Sequence, residues 1–419
     1  MTAVAGRLPL GAVAHAGAVA HPLVRAAFYG FVASIPFELP RVALPADVPT
    51  LTAAVFLLTT VLSPAACWGR IPTPVRWFGA YLWIGAFAAV VNGIEHPKRL
   101  FDFGTWIIEM VLVFWAGSNL LRDARTRRAT VVALVVACTA RAAIQVLGIG
   151  AEAHAEWMGG ARVTVFGQNA NLSAMILAAG LAGALGMRTP TETGRGWSAW
   201  LAWSLAGLMG TAVVQTASRG GVLCAAVAVL PFLLQGRTVA ARAGNVLVAV
   251  GTVTLLAWAV VQSTAMRGRF TRTFHEGHLA GREIIYPAAL AMFAERPWLG
   301  WGPIENQYEL MARTPSPYLE KPRDAHNLVL ELITSAGVVG AVPFLMGLGL
   351  CARNAWRTRR GREGVVALAV FAALVPGLVS GTWIASKILW LALTLSWAAG
   401  EAVIREQRRA ARPEGVCAV

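Results

Sequence analysis

Apolar runs of about 20 residues recur along the whole chain, parted by short polar connections, and the spacing predicts membrane-spanning helices. They fall at about 23–37, 50–68, 76–93, 103–121, 129–149, 170–187, 198–216, 220–235, 244–264, 327–351, 364–381 and 384–400. Alternate connections differ sharply in charge. One set carries Arg7 and Arg25, Arg70 and Arg76, Arg122 to Arg128, Arg188 and Arg195, Arg237 and Arg242, and Arg353 to Arg362, followed by a basic tail. The other set, with Glu38, Asp47, Glu95, Glu152, Glu156 and Lys387, is close to neutral. Because basic loops stay cytoplasmic, both termini are expected in the cytoplasm and the near-neutral connections outside.

The pattern divides the chain into nine spans over 1–264, a long outer loop over 265–325, three spans over 326–400 and a basic cytoplasmic tail over 401–419. The fold class is therefore all-α, a polytopic membrane protein with about twelve spans. At roughly 60 residues the outer loop is too long for a simple link and is expected to carry function. Within it Ile284, Ile285, Ala288, Ala289, Met292 and Phe293 recur at helical spacing, predicting a short amphipathic helix on the membrane surface or at a cavity mouth.

Composition agrees and removes alternatives. Of 419 residues, 57% are hydrophobic and 14% charged, with a mean hydropathy of +0.59, which excludes an ordinary soluble domain. The net charge of +15 needs no nucleic-acid partner, since the cytoplasmic connections account for it. The five cysteines lie in or beside spans or in the tail and form no disulfide or zinc pattern. Met1 to His21 reads as a cytoplasmic lead-in rather than a cleaved leader.

Charged and polar residues at membrane depth carry the candidate chemistry. Arg219 lies in Ser218-Arg219-Gly220-Gly221, between two spans with almost no loop, where an arginine needs an anion, a wet cavity or a route to the surface. The glycine pair would let a ligand approach the backbone. Arg162 enters a span ahead of Asn169-Ala170-Asn171, Arg282 opens the amphipathic helix after Gly281, and His326 stands in Asp324-Ala325-His326-Asn327 where the long loop meets a span. Planar guanidinium forks suit phosphate oxygens, so several arginines around one cavity suit a diphosphate. Each also has a plain reading, a solvated loop charge or a satisfied polar contact. Glu109 and Glu331 lie within spans, where either could neutralise Arg141, line a cavity or serve polar packing. No Asp-x-Asp pair is present, and His275 with His278 lacks a third ligand, so no metal or other cofactor is expected.

Taken in order, these pieces resemble the O-antigen ligase and polymerase family of bacterial envelope glycosyltransferases. The matching residues are Arg162 with Gly167 and Asn169-x-Asn171, then Ser218-Arg219-Gly220-Gly221, then Gly281-Arg282 with Glu295-Arg296-Pro297-Trp298-Leu299-Gly300-Trp301-Gly302 and Asn306, and finally Asp324-Ala325-His326-Asn327, Glu331-Leu332 and Gly337-Val338-Val339-Gly340. The chain departs at Ala170, where the family often has proline, and at Leu328, where it often has an aromatic residue.

The resemblance implies an inner-membrane, metal-independent glycosyltransferase acting on the periplasmic face. Its donor would be a glycan on undecaprenyl diphosphate and its acceptor a sugar hydroxyl of the lipid A-core. The catalytic residues implied are His326, Arg219 and Arg282, with Arg162, Asn169, Asn171, Ser218, Gly220, Asp324 and Asn327 in substrate binding. The short tail favours the ligase over protein-glycosylating members with a further C-terminal domain. A polymerase, with a second lipid-linked repeat as acceptor, would use the same motifs. A non-enzymatic polyprenyl-diphosphate or polysaccharide transporter would be expected to show paired repeats and interrupted helices, and neither is evident in the sequence.

Overall fold

The computed structural model describes residues 19–38, 47–156, 160–188, 196–235, 238–277, 279–314, 322–359, 361 and 364–410. The helices are α1 (Pro22–Ser34), α2 (Val48–Thr59), α3 (Pro64–Trp68), α4 (Thr73–Asn92), α5 (Pro97–Leu120) and α6 (Ala124–Val146). A hairpin of β1 (Ala151–Glu156) and β2 (Gly160–Val165) follows, then α7 (Ala170–Gly186), α8 (Ala199–Gln215), α9 (Arg219–Val229) and α10 (Val239–Gln262). The chain continues through α11 (Thr264–Glu276), α12 (Arg282–Glu295), α13 (Glu305–Arg313), α14 (Leu328–Arg357), α15 (Gly364–Ser380) and α16 (Lys387–Ala410). The lead-in up to residue 18, His278 and the tail beyond residue 410 lie outside the described residues.

The architecture is all-α apart from the antiparallel hairpin, which pairs Ala151 with Val165 and was not anticipated. Among the described residues six helices are long and apolar enough to cross a membrane: α4, α5, α6, α10, α14 and α16. Six shorter apolar helices match the remaining expected segments: Pro22–Phe37, Val48–Leu62, Ala170–Gly186, Ala199–Gln215, Arg219–Leu234 and Gly364–Ser380. Within lipid, close packing rather than water exclusion holds such helices together. Ala- and Gly-rich α7 is accordingly buried on all sides among α6, α8, α9 and α15. A second centre is aromatic, where Phe78 of α4 lies 4.9 Å from Trp390 of α16 and 5.7 Å from Phe114 of α5, ring centre to ring centre.

Connections expected on one side do meet one another. At one end of the bundle Lys387 Nζ lies 2.7 Å from Asp47 Oδ2, and Gln168 Nε2 donates to the Glu38 carbonyl at 3.1 Å. At the other, Trp115 and Asn119 donate to the Arg70 carbonyl, and Arg122 lies 3.8 Å from Glu401.

Two features position the long connection. The anticipated amphipathic helix is α12, and its Ile285, Ala289 and Met292 pack with Leu310, Ala325 and Leu330 onto the first turns of α14. Helix α14 is itself interrupted at Gly337, with φ 62° and ψ −170°. The strip 297–302 crosses that break, with Trp301 N–H donating to the Thr334 carbonyl at 2.8 Å and Val338 N–H to the Pro297 carbonyl at 2.8 Å. A Cβ on Gly337 would sit 2.2 Å from the Trp298 carbonyl oxygen, so only glycine allows the crossing. An interrupted helix is therefore present, contrary to the expectation from sequence.

Candidate active site

Four helix N-termini meet around the C-terminal end of α15. Ser218 caps α9 by accepting from Gly221 N–H at 3.0 Å, and its hydroxyl donates to Asn171 Oδ1 at 2.8 Å, tying α9 to the first turn of α7. Asn169 caps α7, accepting from the backbone N–H groups of Asn171 and Leu172. Asn327 caps α14 in the same way through Val329 and Leu330, and its Nδ2 donates to the Val379 carbonyl at 3.0 Å. From α12, Arg282 donates to the Ser380 carbonyl and Tyr286 to that of Val379 at 3.0 Å. The last carbonyls of a helix carry partial negative charge and lack intrahelical donors, so α15 takes these donors as its cap.

The candidate arginines and the histidine stand beside these N-termini. Arg219 and Arg282 are the first residues of α9 and α12, and His326 directly precedes the cap of α14. Arg162, on β2, donates from Nη2 to Asn171 Oδ1 at 2.9 Å and from Nε to the Thr216 carbonyl at 3.2 Å. Arg219 donates from Nη1 to the Arg269 carbonyl at 3.4 Å. It interacts electrostatically with Arg269, Arg282 and Arg162, which repel it, and with Glu283, which attracts it. Guanidinium groups near the positive ends of helices are chemically suited to a multiply charged anion.

Backbone strain gathers at the same places. Ala217, Ala280 and His326 all have positive φ, at 48°, 62° and 49°, and each directly precedes a cap, that of α9, α12 or α14. Non-glycine residues adopt this conformation at a cost that surrounding contacts must offset, and functional sites are where such strain collects. At His326 the contacts are explicit. Asp324 Oδ1 accepts the His326 backbone N–H at 2.9 Å, Glu331 Oε2 accepts Ala325 N–H at 2.9 Å, and the Tyr286 hydroxyl reaches the His326 carbonyl at 3.3 Å.

The histidine ring is oriented by the same carboxylate. His326 Nδ1 lies 2.8 Å from Asp324 Oδ1, with the histidine side chain about a third exposed. Burial opposes ionisation of Asp324, but the hydrogen bonds and charge of His326 outweigh it and hold the carboxyl below its ordinary range. With Nδ1 engaged by the carboxylate, Nε2 is the ring nitrogen turned away from Asp324.

The Gly220-Gly221 pair serves packing: a Cβ on Gly221 would lie 2.2 Å from Ala174 Cβ of α7, and one on Gly220 would lie 3.0 Å from Ser380 Oγ. Arg141 is not neutralised by Glu109 or Glu331, because its three hydrogen bonds go to Gln145, Gln168 and Ser173. Glu331 instead accepts from Asn306 at 3.0 Å, Gln307 at 3.3 Å and Ala325, bracing the loop ahead of His326. Sequence reasoning also missed Tyr286, Arg269 and the α15 carbonyls. A group that could hold a metal ion went unnoticed too: the ligand atoms of Glu95, His96 and Glu305 lie within 4.8 Å of one another, although Glu305 Oε2 is already 2.8 Å from His96 Nδ1.

No curated protein matches the chain with significance. A family model does: the one described as O-antigen ligase matches residues 204–345, which takes in most of α8, all of α9 to α13 and the first part of α14. That segment holds Arg219, Arg269, Arg282, Asp324 and His326, and over it the chain is similar to the O-antigen ligase family.

Proposed function

We propose that the chain is an O-antigen ligase, transferring a glycan from undecaprenyl diphosphate to a sugar hydroxyl of the lipid A-core on the periplasmic face of the inner membrane. The observation that carries this reading is the meeting of the arginine cluster and the Asp324–His326 pair around one helix end. The periplasmic assignment rests on the basic connections of the opposite face.

In this reading Arg219, Arg282 and Arg162 hold the diphosphate and stabilise the charge that builds on it as the glycosidic bond breaks. Asn171 and Ser218 set the position of Arg162, while Asn169 and Gly220 shape the two helix ends. His326 Nε2 removes the proton from the acceptor hydroxyl as its oxygen attacks the anomeric carbon. The C–O bond to phosphate breaks, undecaprenyl diphosphate departs, and the proton remains on the imidazolium until solvent takes it. Asp324 fixes the tautomer and stabilises the imidazolium, and Asn327 anchors the segment to α15. The arginines supply the positive charge that a metal would otherwise provide, so transfer is metal-independent.

The polymerase reading uses the same chemistry with a second lipid-linked repeat as acceptor. Incubating purified protein with lipid-linked glycan, either alone or together with lipid A-core, separates the possibilities. A ligase yields glycan on the core, a polymerase yields a lengthened lipid-linked glycan from donor alone, and a transporter yields neither product.

A further inference from the structure

Arg141 in α6 is 1% exposed and lies in a segment long and apolar enough to cross a membrane. A charge so placed is costly and normally pairs with an opposite charge. Here every partner is neutral: Nη1 donates to Gln145 Oε1 at 2.8 Å, and Nη2 to Gln168 Oε1 at 3.1 Å and Ser173 Oγ at 2.7 Å. Both glutamines are held in place by a second bond. Gln145 Nε2 donates to the Ala212 carbonyl at 2.7 Å, and Gln168 Nε2 to the Glu38 carbonyl at 3.1 Å. The surroundings thus keep a guanidinium charged and fixed without cancelling its charge.

The position of that charge gives it a use. Ser173 lies in the first turn of α7 and Gln168 directly precedes its cap, so Arg141 grips the same turn whose Asn171 holds Arg162. We propose that Arg141 is an electrostatic positioning residue for the donor, whose diphosphate supplies the counter-charge that the protein withholds. The proposal rests on the arginine cluster being a diphosphate site. Attraction between unit charges roughly 10 Å apart, at an effective dielectric near 20, corresponds to an affinity change on the order of tenfold.

The test uses the purified full chain in detergent, titrated with inorganic pyrophosphate while affinity and melting temperature are followed. Arg141→Met should bind pyrophosphate about tenfold more weakly, with a correspondingly smaller ligand-induced rise in melting temperature. Arg141→Lys, which keeps the charge, should stay within about threefold of wild type. If the Met variant does not fold, Arg141→Gln carries the same expectation. Unchanged affinity in the neutral variant, or equal loss in Lys and Met, would overturn the proposal and leave Arg141 a hydrogen-bonding strut. Arg219→Ala is the control for the underlying reading. If it loses binding while Arg141→Met does not, only the present proposal fails; if wild type does not bind pyrophosphate at all, both fail.

Discussion

Arg282 and Ser380 join two elements nearly a hundred residues apart, the guanidinium of the first donating to the carbonyl that ends α15. One residue earlier, the Val379 carbonyl takes Tyr286 and Asn327, so the segments that carry Arg282 and His326 share one anchor. Replacing Arg282 or Arg219 by Ala should cut transfer by about a hundredfold or more while the protein still inserts and folds, as expected for lost stabilisation of developing charge. Lys should rescue poorly, because it lacks the planar fork. Initial rates with membrane-extracted enzyme measure this, and near-normal rates in both Ala variants would remove the arginines from the mechanism.

Asp324 makes two bonds to His326, one to the ring and one to the backbone N–H. Asp324→Asn should retain the backbone bond but present the wrong partner to Nδ1, lowering kcat by roughly a hundredfold to ten-thousandfold, as for other carboxylate–histidine pairs. Its pH behaviour follows from sign. The folded carboxyl titrates below its unfolded value of about 3.9, so its contribution is complete above that value and lost as pH falls through the lower, folded one. Mild acidification therefore leaves the Asp324 carboxylate ionised, so a fall in transfer there does not come from that group. A rate that rises with acidification would instead assign the histidine as a cationic ligand.

Much of this was legible in the sequence, and the exceptions have physical reasons. Apolar run length is a strong signal, and each expected segment has a helix. Arg162, Arg219, Arg282 and His326 could be named, because charge at membrane depth is conspicuous. Their convergence could not, since it depends on backbone carbonyls of Val379 and Ser380 that any residue would present. The interruption at Gly337 hid in an apolar run because hydropathy does not register φ. The hairpin at 151–165 escaped notice because its strands are short and β1 is built of Ala, Glu and His rather than β-branched or aromatic residues, and Arg269 because the polar helix α11 carries no span signal.

Gly337→Ala should test the crossing. Its φ and ψ lie where only glycine is comfortable, and the added Cβ would overlap the Trp298 carbonyl. A loss on the order of 3 kcal/mol is expected, seen as a clear fall in melting temperature in detergent. An unchanged melting temperature would mean that the strip 297–302 does not thread the break.

Transfer should survive EDTA, because the arginines occupy the role that a metal would fill. The Glu95, His96 and Glu305 group makes the experiment informative. Lost activity restored by Mg or Mn would require redrawing the diphosphate clamp around a carboxylate such as Glu283 or Asp324.

His326→Ala offers the most direct measurement, made on one preparation with lipid-linked glycan and lipid A-core, following donor binding and product together. The account predicts donor affinity close to wild type and turnover reduced by about a hundredfold to ten-thousandfold, the contribution of a general base. Turnover at the wild-type rate would contradict it.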